Sequence, residues 1–152
     1  MKFIQFLLVT LFLLFTSMLS NADTLAEFEA QVARHKGKVI YVDFWASWCV
    51  PCRKSFPWMN AMQSKYAGKD FTVLSVNLDA QADLAAKFLT ETPAQFPIFY
   101  DPKGKVAKAF KLKGMPSSFI INKSGKIVSS HVGFTEKKKE KYQQELARLL
   151  AK

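Results

Sequence analysis

The chain has 152 residues, 49% of them apolar and 22% charged, which is one domain's worth of sequence and excludes a disordered tail. Two cysteines exclude a disulfide-rich scaffold and a structural zinc site built from cysteine alone. The net charge of +10 is concentrated in residues 101–141, with 11 Lys against 3 acids, whereas residues 23–100 balance 8 basic against 8 acidic side chains.

In chain order, the uncharged run from Phe3 to Leu19 follows Lys2, and Ser20-Asn21-Ala22 supplies small residues after it. That is the layout of a secretory signal. We read residues 1–22 as a signal peptide cut before Asp23, with an uncleaved membrane anchor as the alternative, and residues 23–152 as the folded domain. Either reading places the domain on the outer side of the cytoplasmic membrane, in the periplasm or cell envelope. Leu25, Phe28 and Val32 have helical spacing over Thr24–Lys36, and Gly37 stops the helix. Lys38–Ala46, β-branched and aromatic, reads as a buried strand. A helix follows Pro51 to about Ala67, with Phe56, Met59, Met62 and Tyr66 inward. Phe71–Asn77 is a second strand, Gln81–Leu89 a helix and Phe96–Tyr100 a short strand. Asp101–Gly104 is a turn, and Val106–Phe110 makes one or two helical turns. Ser117–Ile121 and Lys126–Val132 form a hairpin around Asn122–Gly125. Thr135 caps a last helix whose apolar side is Tyr142, Leu146, Leu149 and Leu150. This order predicts an α/β domain with a mixed central sheet and helices on both faces.

The chemistry concentrates at Trp48-Cys49-Val50-Pro51-Cys52, where the buried strand gives way to a helix. Cysteines at i and i+3 across a first helical turn face the same way and can form a disulfide. Unpaired N–H groups and the helix dipole lower the first thiol's pKa, which makes Cys49 the nucleophile and leaves Cys52 to resolve the mixed disulfide. Pro51 lacks an N–H that the helix start leaves unpaired anyway. Two buried thiols or half a metal site are the competing readings, and the second would need the distant His35 and His131. Asp43 is the one acid in an apolar strand, where burial raises its pKa unless it is paired. Trp45, Phe44 and Phe56 read as core, and Trp48 as a rim residue beside the nucleophile.

The segment Asp43-Phe-Trp-Ala-Ser-Trp-Cys-Val-Pro-Cys-Arg-Lys54 resembles the active site of the thioredoxin superfamily, and most of all the TlpA-like thiol–disulfide reductases of the bacterial cell envelope. Pro57, Val76-Asn77-Leu78-Asp79, Gly114-Met115-Pro116-Ser117 and Gly133 match further elements in the right order. The resemblance implies a thioredoxin fold with an extra strand–helix insertion between Asp79 and a cis-Pro loop at Pro116. It also implies that Met115 offers its backbone to an extended substrate, and that Asp43 takes the proton of Cys52. The sequence departs from the pattern at Ser75, where many thioredoxins place a lysine beside that acid.

Together with the motif, the resemblance implies a thiol–disulfide oxidoreductase that reduces selected protein disulfides. Cys49, Cys52 and Asp43 are the catalytic residues, and Trp48, Val50, Pro51, Met115 and Pro116 contact the substrate. No diffusible cofactor is expected, since the Cys49–Cys52 pair carries the electrons. A membrane thiol protein is expected as electron donor, and the chain as a monomer. The lysine surplus reads first as a solvated, self-repelling surface; an acidic protein partner or an anionic membrane surface is the alternative, and no nucleic-acid recognition motif accompanies it. An oxidase or isomerase of secreted proteins is the alternative enzyme, and a Cu(I)-handling module using Cys49, Cys52 and Met115 the alternative of another class.

Overall fold

The computed structural model describes residues 23–151. The expected leader at residues 1–22 lies outside them. Asp23 caps helix α1 (Thr24–Arg34), its side chain accepting from the Leu25 N–H. Strand β1 (Val39–Trp45) is buried along its whole length and leads to helix α2 (Val50–Lys65). There follow β2 (Phe71–Asn77), α3 (Ala82–Glu91), β3 (Ile98–Tyr100) and α4 (Lys105–Ala109). Strands β4 (Ser117–Ile121) and β5 (Ile127–Val132) and helix α5 (Glu136–Leu150) complete the described chain.

The five strands lie in the order β3-β2-β1-β4-β5, with β1 parallel to β2 and antiparallel to β4. Both neighbours of β1 are strands, so it needs apolar side chains on both faces, and its sequence supplies them. One face packs Tyr41, Trp45 and both cysteines against α2, α3 and α5 through Phe56, Met59, Phe88 and Leu146. The other packs Ile40, Val42 and Phe44 against α1 and α4 through Phe28 and Val106. The fold is the expected mixed sheet covered on both faces. The insertion between β2 and β4 adds β3 as a parallel edge strand beside β2. β3 begins at Ile98 rather than at Phe96, because Pro97 has no N–H for the ladder. Gly104, in the left-handed region at φ 64°, forms the entry to α4, and the Asp101 carboxylate accepts from the Lys105 and Ala107 N–H groups.

Candidate active site

Cys49 is the N-cap of α2, and it is bonded to Cys52 with the two Cα atoms 5.2 Å apart. Pro51 stands in the first helical turn. The only side-chain-free N–H of that turn able to serve a reduced Cys49 in the usual N-cap geometry is therefore that of Cys52, since proline has none. The two cysteines are 4% and 1% exposed, so exposure separates them little. Their surroundings separate them more: Cys49 lies between Trp48 at 67% and Val50 at 65%, whereas Cys52 faces the core, its carbonyl accepting from the Ser55 hydroxyl.

The turn that carries Cys49 is held by a clamp. Asp79 accepts from the Ser47 N–H and the Ser47 hydroxyl, both at 2.9 Å, and from Asn77 Nδ2 at 2.7 Å. The Leu78 N–H donates to the Trp45 carbonyl at 2.8 Å, tying the end of β2 to the end of β1. Arg53 Nε donates to the Ser47 carbonyl, and its guanidinium lies over the Phe88 ring. The sequence reading used Asp79 only as a marker of resemblance. An acid placed just after a strand, two residues past an Asn, was the available signal for this clamp.

The loop before β4 contributes Met115, partly buried, to the same core cluster as the cysteines. The Met115–Pro116 peptide bond is cis. The loop is strapped to the end of β5: the Gly133 N–H donates to the Pro116 carbonyl at 2.7 Å, and the Ser117 hydroxyl donates to the Gly114 carbonyl at 2.7 Å. Gly133 has φ 78°, in the left-handed region that side-chain-bearing residues rarely adopt.

Asp43 is 1% exposed, on the face of β1 that also carries Tyr41 and Trp45. Its Oδ2 has no hydrogen-bond partner among the described residues, and burial holds its pKa well above the usual carboxylate range. Ser75, its register partner on β2, is engaged elsewhere: Trp45 Nε1 donates to the Ser75 hydroxyl, which donates to the Pro97 carbonyl. A second buried group without a partner among the described residues, the Nε1–H of Trp58, lies on the same side, its ring edge-on to Tyr41 with centroids 5.3 Å apart. Trp58 escaped the sequence reading because the helical spacing picked out Phe56, Met59 and Met62 and passed over it. Of the two histidines, His131 pairs with Glu145, and among the described residues no three His, Cys, Asp or Glu side chains come together as a metal site.

A bonded cysteine pair capping the helix after a central strand, in one core cluster with Met115 of the loop before β4, is the arrangement of the thioredoxin class of redox site. The family comparison agrees: the model described as Redoxin matches residues 19–146, and the chain belongs to that family, as a TlpA-like member of the thioredoxin superfamily. Among individual proteins, it is 33% identical over 115 residues to the thiol-disulfide oxidoreductase ResA of Bacillus thuringiensis subsp. konkukian, covering 75% of this chain and 65% of that one. The chain thus spans somewhat less than two thirds of the length of the curated relatives it matches. A candidate thiol:disulfide interchange protein DsbE from Chlorobium tepidum is 50% identical with a TM-score of 0.77, over 78% of this chain and 84% of that one. The exposed lipoprotein thioredoxin Etrx1 of Streptococcus pneumoniae is 33% identical with a TM-score of 0.66, over 78% and 90%.

Proposed function

We propose that the chain reduces selected protein disulfides outside the cytoplasmic membrane, as a thiol–disulfide oxidoreductase. The observation that carries this reading is the bonded Cys49–Cys52 pair at the start of α2, after a buried central strand. In the reduced protein Cys49, as thiolate, attacks one sulfur of the client disulfide. A mixed disulfide forms, and the other client sulfur leaves as thiolate. Cys52 then gives its proton to ionised Asp43 and attacks the Cys49 sulfur, releasing the second client thiolate. Two electrons have passed to the client, and the Cys49–Cys52 disulfide is the product. The Cys49 thiolate is favoured by the α2 dipole and by the Cys52 N–H. Met115 and Pro116 line one side of the approach, and Trp48, Val50 and Pro51 the other. The dithiol works without a diffusible cofactor and is regenerated by a membrane thiol donor.

The chain is exported through residues 1–22 and works in the periplasm or cell envelope as a monomer; a location outside the cytoplasm is supported by the similar streptococcal protein, which is named an exposed lipoprotein thioredoxin. The lysine-rich segment 101–141 suits a client or donor with an acidic surface. The test is a Cys52→Ser variant expressed in its own cell envelope. It should accumulate mixed disulfides with clients through Cys49, and alkylation of the reduced parent should label Cys49 before Cys52. A reduction potential near thioredoxin's value of about −270 mV supports a reductase, whereas one near the strongly oxidising end, about −120 mV, would make it an oxidase.

A further inference from the structure

Asp43 stands at the inner end of a row of polar side chains that crosses the sheet to its edge. Ser118 on β4 is the antiparallel partner of Asp43, and His131 on β5 is the partner of Ser118. Directly opposed residues share a face with their Cβ atoms about 4.5–5.5 Å apart. The three side chains therefore line up across the face that carries α2 and α5. Tyr41 Oη donates to Ser118 Oγ at 2.8 Å, and Ser118 Oγ lies 3.4 Å from His131 Nδ1. His131 Nε2 lies 2.8 Å from Glu145 Oε2 on α5, and the Ser129 hydroxyl donates to the other Glu145 oxygen. The row opens towards solvent: Tyr41 and Ser118 are 1% and 4% exposed, and the side chains of His131 and Glu145 are 9% and 18% exposed. Polar groups threaded through a core cost free energy that apolar ones would not.

We infer that His131, backed by Glu145, is a positioning residue for Asp43, and that its protonation, passed on by Ser118, sets how readily Asp43 releases a proton. The inference rests on the proton-carrying role given to Asp43 above. With His131 neutral, Nδ1 accepts from Ser118 and Ser118 accepts from Tyr41, so the hydroxyl dipoles point away from Asp43. With His131 protonated, both ring nitrogens donate, Nε2–H to Glu145 and Nδ1–H to Ser118. Ser118 can no longer donate to the ring, and its own proton turns inward, to Tyr41 or across the row to Asp43. The reversed dipoles and the added positive charge both favour the ionised carboxylate. The balance is one proton: the row passes from protonated Asp43 with neutral His131 to ionised Asp43 with protonated His131, and the ring beside Glu145 then gives that proton to solvent. Ionised Asp43 must favour protonated His131 to the same extent.

The other groups around the row bear on the same equilibrium. Burial first, and then Lys141 and Lys138 of α5, oppose protonation of His131, while Glu145 favours it. The Tyr142 ring stacks on His131 with centroids 4.1 Å apart. Tyr41 and Tyr142 have their pKa raised by burial and secondarily by Asp43, so they stay neutral and act as hydrogen-bonding groups only. Trp58, from α2, brings a neutral indole, and Ser75, on the far side of Asp43, is bound to Trp45 and Pro97.

The test is an NMR titration of the oxidised protein, in which neither cysteine titrates, following the Asp43 carboxyl carbon and the His131 ring. His131→Gln and Ser118→Ala should each raise the Asp43 titration by about one pH unit, a tenfold change in its ionised fraction. Ser118→Thr, which keeps the hydroxyl, should restore the parent curve. Asp43→Asn should lower the His131 titration by the same amount that His131→Gln raises that of Asp43. If Ser118→Ala fails to fold, Glu145→Gln at the rim should still lower His131 and raise Asp43. Identical Asp43 curves in parent and His131→Gln, or a His131 curve indifferent to Asp43→Asn, overturn the inference. Unchanged disulfide-resolution rates in Asp43→Asn would instead remove the proton-carrying role and leave the coupled titrations standing.

Discussion

Replacing Asp43 by Asn should stabilise the protein at neutral pH and change little in acid. A free Asp loses its proton near pH 3.9, whereas burial holds Asp43 well above that in the folded chain. Between those two values the folded state keeps a proton that the unfolded state has released. The parent therefore loses stability as pH rises through that window, at no more than about 1.4 kcal/mol per pH unit for a single proton. Below about pH 3.9 both states are protonated, and the titration contributes nothing. Above the folded pKa the loss levels off. Asn has the same shape and does not titrate, so the difference between variant and parent grows with pH across the window and then reaches a plateau. The plateau equals about 1.4 kcal/mol for each pH unit by which burial raises Asp43. For a domain of this size that is about 4 °C in Tm per kcal/mol. Urea unfolding of the oxidised proteins, from about pH 4 to about pH 9, measures the difference directly. A difference that stays constant over that range would show that Asp43 titrates alike folded and unfolded, and the assignment of a buried, raised carboxyl would be wrong.

Asp79→Ala removes three hydrogen bonds from Ser47 and Asn77 and should cost about 2–4 kcal/mol. It should also slow alkylation of reduced Cys49; a loss below about 0.5 kcal/mol would mean that the turn is held by other contacts. Trp48→Ala, at a residue 67% exposed, should leave stability within about 0.5 kcal/mol. It should slow reduction of a protein disulfide severalfold but not that of a small disulfide reagent, and equal effects on both would deny Trp48 a docking role. N-terminal sequencing of the envelope protein should begin at Asp23, whereas an intact Met1 on a membrane-bound product would make residues 1–22 an anchor.

Local chemistry made part of this protein readable from its sequence. The β-branched run before Trp48 could only be a central strand, and a Cys-x-x-Cys with proline inside it suits the first turn of the helix that follows. Thr135 capping α5 and the Asn122–Gly125 turn are likewise settled by groups a few residues apart. Burial of Asp43 was the expectation for an acid inside an otherwise apolar strand, against a strand-end acid facing solvent; Tyr41 and Trp45 share its buried face, while Val42 and Phe44 fill the other. What surrounds Asp43 was not legible. Reading along the chain, Ser75 in place of a lysine looked like the loss of the acid's partner. In the folded sheet Ser75 turns to Trp45, and the polar neighbours lie on the opposite side, on β4 and β5. Tyr41 and Ser118 are 77 residues apart in sequence, and Ser47 and Asp79 are 32 apart. No periodicity encodes such pairs: they exist because β1 is central and takes β2 on one side and β4 on the other, and a shift of one residue in either register would turn one partner to the opposite face. Strand type and the cysteine motif follow from the chain's own neighbours, whereas the company of Asp43 follows only from which strands lie side by side.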